Sequence, residues 1–328
     1  MSLYPLKFQP ILKERLWGGS KLKNVLSKPA ESDITGESWE LSAVKGDVSI
    51  IANGSLKGIS LQNLIDRQAE QLLGRNVVHR FGRDFPILIK FIDAKQDLSI
   101  QLHPDDELAK KRHNSFGKTE MWYVMDADEG ANLIVRFNRN VTKEEYSKSL
   151  ADNTLLELLN YEPVKEGDTF FINTGKIHAI GAGVLLAEIQ QTSDVTYRVF
   201  DFNRRDNNGN LRELHTEMAL DAMDYEKKDD FKVSYGQETN AINAMVDCPY
   251  FKTNFMHLTK NLNMDVDERD SFTIYLCVGG SAEISNEHGS ATIRRGETLL
   301  MPCLLYTSPS PRDCNEYRVC RLLLEKRG

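Results

Sequence analysis

Gln101, His103, Glu120 and His178 are the residues of this chain whose types and spacing suit the holding of a metal ion. Gln101 and His103 stand two apart at the end of the run LSIQLH, and in a strand such residues point to the same face, so both can reach one ion. Glu120 opens another β-rich run after a loop containing Asp105, Asp106 and Gly117. His178 follows the run GDTFFINTG, residues 167–175, through a tight turn at Lys176 and Ile177. Together they offer one neutral oxygen, one carboxylate and two imidazoles, a donor set suited to zinc or another divalent first-row ion with an open position. Each histidine alone reads more plainly as a capping or surface residue. The joint pattern is what points to a metal; His79, His113, His215, His257 and His288 stand in no such company and read as structural or surface residues.

Strands must carry this cluster. The runs PILIKFIDA, LSIQLH, EMWYVMDA, ANLIVRF, DTFFINTG, GVLLAEIQQ and VTYRVFDF are separated by Gly, Asn and Asp turns at the close spacing of a β-sandwich or barrel. No GxGxxG or P-loop turn interrupts them. Helices are fewer. Ser60 is a candidate N-cap, with Leu61, Leu64, Ile65, Leu72 and Leu73 following at near-helical period until Gly74. Thr142 and Glu145 open a second helix, and Asn153 predicts a break into two shorter pieces. Both should pack outside the sheet. From about residue 216 to 247 the chain turns polar and loses its period, which reads as a connection; FKTNFMHLT, FTIYLCVGGSAEIS, SATIRR and ETLLMPC then return to strand pattern.

Composition bounds the function. With 328 residues, 41% hydrophobic and 27% charged, the chain can bury a sizeable core without a disulfide framework. A net charge of −7 with no long basic run gives no electrostatic footprint for nucleic acid, whereas a local Lys and Arg pocket can still bind a phosphate. The amino terminus lacks a signal-peptide core and no segment reaches the ~20 apolar residues of a membrane span, so a cytoplasmic protein is expected. Its five cysteines, odd in number and without CxxC spacing, read as reduced thiols. One stretch does not fit: LLYTSPSPRD, residues 304–313, carries two Ser-Pro steps where a closing strand belongs; it resembles translated sequencing adapter, and the plainer reading is a Pro-rich surface loop.

Four segments, LSIQLHPDD (98–106), GKTEMWYV (117–124), GDTFFINTGKIHAIGAG (167–183) and LLAEIQQTSDVTYRVFDFNR (185–204), closely resemble the type I mannose-6-phosphate isomerases, and RLWGG and GESWELS agree with them. The first and third are also similar to the two cupin motifs, with Asn173 where many cupins have proline. The resemblance implies a mainly β protein: a cupin jelly-roll barrel with added helices in residues 1–240 and a smaller, cupin-like β domain in 241–328. It implies Gln101, His103, Glu120 and His178 as ligands of one zinc ion, and it places a catalytic arginine on Arg198 and Lys118 and Glu188 beside the sugar. The substrate implied is a phosphorylated hexose, acted on by a monomer or weak homo-oligomer.

Moving a proton between neighbouring carbons through an enediol loads negative charge onto a former carbonyl oxygen, so fixed cations are required. Arg198 and Lys118 can supply them. Glu188 is the expected proton shuttle, because its strand should line the pocket. Plainer readings remain: an ion pair of Arg198 with Asp194 or Asp201, and a surface pairing for Glu188. Trp17 reads as a packing corner. Two other classes compete, a non-haem iron cupin oxygenase built on two His and a carboxylate, and a catalytically silent sugar-binding cupin.

Overall fold

A computed structural model describes residues 2–205, 208–263 and 270–303, and the backbone of 323–325. Two antiparallel sheets face each other. One has six strands in the order Thr169–Ile172, Glu120–Ala127, Val184–Gln191, Ile87–Ala94, Ile11–Gly19, Thr35–Leu41. The other has five, in the order Leu159–Pro163, Asn132–Phe137, His178–Ile180, Ile100–Leu102, Tyr197–Phe200. This is the mainly β, cupin-type architecture expected from the sequence.

Every residue of Val184–Gln191 is buried, so its sequence shows no polar face. The two-residue period still sorts it. Val184 and Leu186 point into the space between the sheets, where they meet Trp122, Val124, Leu133, Val135, Phe170, Ile172 and Ile180. Leu185, Ala187 and Ile189 point outward into a second core shared with the helix Leu61–Leu73 and with Val246, Phe251, Phe272 and Leu300 of the carboxy-terminal third. Continuing inward past Leu186 the same face becomes polar at Glu188 and Gln190, and on the neighbouring strand Val124 and Trp122 give way to Glu120. The barrel is therefore greased at one end and polar at the other.

The helix signals act as read. Ser60 Oγ accepts the Asn63 N–H, and Gly74 closes the helix at φ 92°, a conformation that favours glycine. The structure adds a kink at Gln68. Thr142 and Glu145 form a reciprocal capping box on the helix Lys143–Ala151, a device worth about 0.5–2 kcal/mol. Asn153, in the left-handed region at φ 57°, separates it from the 3₁₀ turn Leu155–Leu158. Tyr146 of that helix and Ala219 of the helix Thr216–Ala222 cover the outer face of the five-stranded sheet.

A third sheet is built from the carboxy-terminal strands Asn243–Asp247, Lys252–Phe255, Thr273–Cys277 and Glu297–Met301, with Leu6–Lys7 from the amino terminus added at its edge. The backbone of Leu323–Glu325 enters it between Lys252–Phe255 and Thr273–Cys277. The Pro-rich run 304–313 that reads as foreign lies outside the described residues. Cys248, Cys277 and Cys303 are buried thiols.

Candidate metal centre and active site

Pairing register brings together residues that the sequence keeps far apart. His178 lies opposite Gln101, and Gln101 lies opposite Arg198 on its other side, so three neighbouring strands present His178, Gln101 and Arg198 as one row. His103 follows Gln101 just past the strand end, and its carbonyl accepts the Gly175 N–H at 2.9 Å. That bond ties the two histidine-bearing segments together. Gly175, at φ 79°, has no room for a side chain, since a Cβ would sit 2.7 Å from the Ala222 carbonyl oxygen.

Glu120 reaches this row from the opposite sheet. His103 Nε2 is 3.6 Å from Glu120 Oε2, and His178 Nε2 is 3.5 Å from Oε1. All three side chains are essentially inaccessible to solvent. His103 Nδ1 faces the Val195 carbonyl at 3.0 Å and His178 Nδ1 the Lys176 carbonyl at 2.8 Å. A carbonyl only accepts, so each Nδ1 carries the hydrogen and each Nε2 turns a lone pair toward Glu120. This is the outer hydrogen bonding that metal-binding histidines use.

The carboxylate is the test of fit. Lys118 Nζ makes an ion-pair contact 3.1 Å from Oε2, yet neither Glu120 oxygen accepts a hydrogen bond of good geometry. Lys118 Nζ, also 3.3 Å from His103 Nε2, offsets part of the cost of burying this carboxylate against two lone pairs, and Oε1 and His178 Nε2 are left without a cation of their own. The three donor groups lie within 4.8 Å of one another, a spacing that one divalent ion can bridge. Gln101 is turned the other way: its amide nitrogen is 3.5 Å from His178 Nε2, and its oxygen accepts from Ser99 Oγ at 3.4 Å. Ligation by Gln101 needs the amide to rotate and exchange those two atoms.

Electrostatics agree with this. Burial works against the charge on Glu120, but Lys118 and then His103 outweigh it and hold the carboxyl well below the ordinary carboxylate range. Burial also opposes charge on Lys118, and Glu120 followed by Glu188 overcomes it, keeping the ammonium above its ordinary range. Burial, then Lys118, pulls His103 down from 6.5 to about 4, and burial lowers His178. Between those values an unfolded histidine binds a proton that the folded one refuses, so stability must rise with pH. Metal-stripped protein should lose thermal stability as pH falls from 6.5 toward 4, and a His103→Gln variant should show a shallower loss by calorimetry. An equal slope in both would remove His103 as the cause.

Glu188 stands on the opposite inner wall. Its Oε1 accepts from Lys90 Nζ at 2.9 Å and its Oε2 from Trp122 Nε1 at 3.0 Å. Trp122 in turn meets the His178 ring edge-on, centroids 5.3 Å apart, and so links this wall to the metal cluster. Arg198 donates to Ser99 Oγ at 3.3 Å and to the Glu213 carbonyl at 2.8 Å. Among the described residues no carboxylate pairs with it; Asp201 pairs with Arg204 and Arg212 instead.

Sequence reading missed Lys90, Trp122, Gln190, Glu37 and Trp39. These continue the inner wall: Trp39 lies opposite Lys90, Lys90 opposite Glu188, and Glu188 opposite Trp122. Glu37 accepts from Arg15 and from Trp39 Nε1, each at 2.8 Å. One signal was available. Lys90 is the lone cation inside the apolar run ILIKFI, and a strand buried on both faces tolerates a lysine only with a partner.

A cupin-type barrel with a His, Glu, His cluster at its polar end defines a metal-binding cupin. Comparison with known proteins narrows the class. The family profile for the phosphomannose isomerase type I catalytic domain matches residues 5–135. The chain is 32% identical to the mannose-6-phosphate isomerase ManA of Bacillus subtilis, over 92% of this chain and 94% of that one. It is 34% identical to the mannose-6-phosphate isomerase of Streptococcus mutans, over 91% and 92%. The crystal structure of the mannose 6-phosphate isomerase from Bacillus subtilis superposes with a TM-score of 0.85 at 30% identity, covering 98% of this chain and 99% of that one. The chain belongs to the type I phosphomannose isomerase family, whose members are metal-dependent.

Proposed function

We propose that the protein interconverts mannose 6-phosphate and fructose 6-phosphate through an enediol, at the polar end of the barrel. The observation that carries this reading is the buried group of His103, Glu120 and His178, whose ligand atoms lie within 4.8 Å of one another with both Nε2 atoms turned toward the carboxylate. His103, Glu120 and His178, with Gln101 after rotation of its amide, would hold one zinc ion. When bound, the ion supplies Lewis acidity to the sugar oxygens. Lys118 adds positive charge on the same side, and Arg198 offers its guanidinium to the anionic substrate. Glu188 moves the proton between the neighbouring carbons; Lys90 and Trp122 hold its carboxylate in place for that transfer. Trp122, Ile92 and Leu186 close the floor below the reacting carbons and keep bulk water out.

Residues 1–240 form the catalytic unit in this reading and 241–328 a smaller β unit. The phosphorylated hexose is the only partner required, by a monomer or weak homo-oligomer in the cytoplasm. No helix among the described residues is long and apolar enough to cross a membrane.

Coupled turnover of mannose 6-phosphate should vanish on stripping metal and return with zinc more fully than with magnesium. Folded protein that turns over under no metal, yet consumes oxygen with ferrous iron, would replace the isomerase by the oxygenase.

A further inference from the structure

The turn that carries Lys118 is fixed from outside the site. Asp106 Oδ1 accepts the Gly117 N–H at 2.8 Å and Gln191 Nε2 at 3.0 Å. Gln191 Oε1 in turn accepts the Thr119 N–H at 2.8 Å. The amides on both sides of Lys118 are therefore held by two side chains that are bonded to each other. The approach is close enough to require glycine at 117, where a Cβ would lie 2.8 Å from the Asp106 nitrogen.

Asp106 is held in its turn by a residue from the third sheet. Tyr250, in the connection between Asn243–Asp247 and Lys252–Phe255, donates its hydroxyl to Asp106 Oδ2 at 2.8 Å. Without that donor, Asp106 can rotate about its last bond and release either acceptor position. The tyrosine ring packs half-buried against the core between the six-stranded sheet and the carboxy-terminal third. The same connection has a second tether, Arg80 Nη1 to the Pro249 carbonyl at 2.8 Å, which does not touch Asp106.

We infer that Tyr250 is a positioning residue: through Asp106 it locks the 117–119 turn and sets where Lys118 and Glu120 stand. The carboxy-terminal third thereby takes part in the site rather than only supporting it. This rests on the function proposed above for Lys118.

Tyr250→Phe deletes one oxygen and keeps the ring. It should lower kcat about tenfold with KM within about twofold, the scale of losing an outer hydrogen-bond partner at a metal site. Amide hydrogen exchange across residues 117–119 should accelerate in the same variant. Arg80→Ala cuts the other tether and should leave both kcat and that exchange unchanged. Wild-type kcat and unaltered exchange in Tyr250→Phe would overturn the inference, as would an equal loss in Arg80→Ala, which would mean general loosening. If the wild-type protein itself turns over no mannose 6-phosphate, the proposed function fails, and the exchange comparison alone decides whether Tyr250 locks the turn.

Discussion

Replacing Glu120 with glutamine is expected to cut turnover by about a thousandfold or more while leaving the barrel folded. Glutamine matches the carboxylate in shape, so the apolar packing around Met121 and Trp122 is untouched. What changes is charge. If Glu120 is the one anionic ligand of the ion, as proposed, metal affinity should fall by well over the ~10–100-fold typical of losing only an outer partner. Lys118, 3.1 Å from Oε2, loses its counterion inside the protein. Stranding one member of a buried pair costs about 3–5 kcal/mol when its charge persists, and a lysine can escape part of that by releasing its proton. The decisive readout is therefore the gain in melting temperature on adding zinc, which by mass action reports binding to the folded state. Wild-type protein should show a large gain and the Glu120→Gln variant almost none. A variant that kept both the gain and the turnover would make Glu120 a structural partner of Lys118 and nothing more.

The cluster was legible in the sequence and the wall opposite it was not, for a reason in strand geometry. Gln101, His103, Glu120 and His178 sit at strand ends beside Gly, Pro and Asp turns, where polar residues break an apolar pattern and draw notice. Their meeting depends on register, His178 opposite Gln101 and Gln101 opposite Arg198, which no local pattern encodes. Glu188 and Lys90 lie in strands buried on both faces, where alternation of apolar and polar residues disappears and the inward face must be found from the fold. The likeness to a family supplied Glu188; nothing supplied Lys90. Helix boundaries were easier, because capping is local: Ser60 and Asn63, or Thr142 and Glu145, are three residues apart in chain and in contact in space. Leu6–Lys7 is the opposite case, pairing with Leu299 and Leu300 across almost the whole chain.

That buried wall sets up the sharpest test of mechanism. Glu188→Gln is expected to lower kcat by about 10²–10⁴-fold, the range for removing a general acid–base group, with metal affinity and KM near those of the wild type. The separation follows from position. Glu188 shares no hydrogen bond with His103, Glu120 or His178; it meets the cluster through Trp122 and through the field it exerts on Lys118. Glutamine can accept from Trp122 or from Lys90 but not both, and Lys90 keeps Gln190 Oε1 at 2.7 Å and the charge of Glu37 nearby, so the wall should stay assembled at a cost in stability. The amide cannot carry a proton between carbons. Exchange of the substrate's C2 hydrogen with deuterated solvent should fall in step with kcat if Glu188 is the shuttle. A variant with kcat within about threefold of the wild type, or one that lost turnover while exchanging that hydrogen at the full rate, would move the proton transfer to another group. Lys90, the side chain that donates to Glu188, would be the first to replace, and Lys90→Met in the Glu188→Gln background would show whether the remaining activity depends on it.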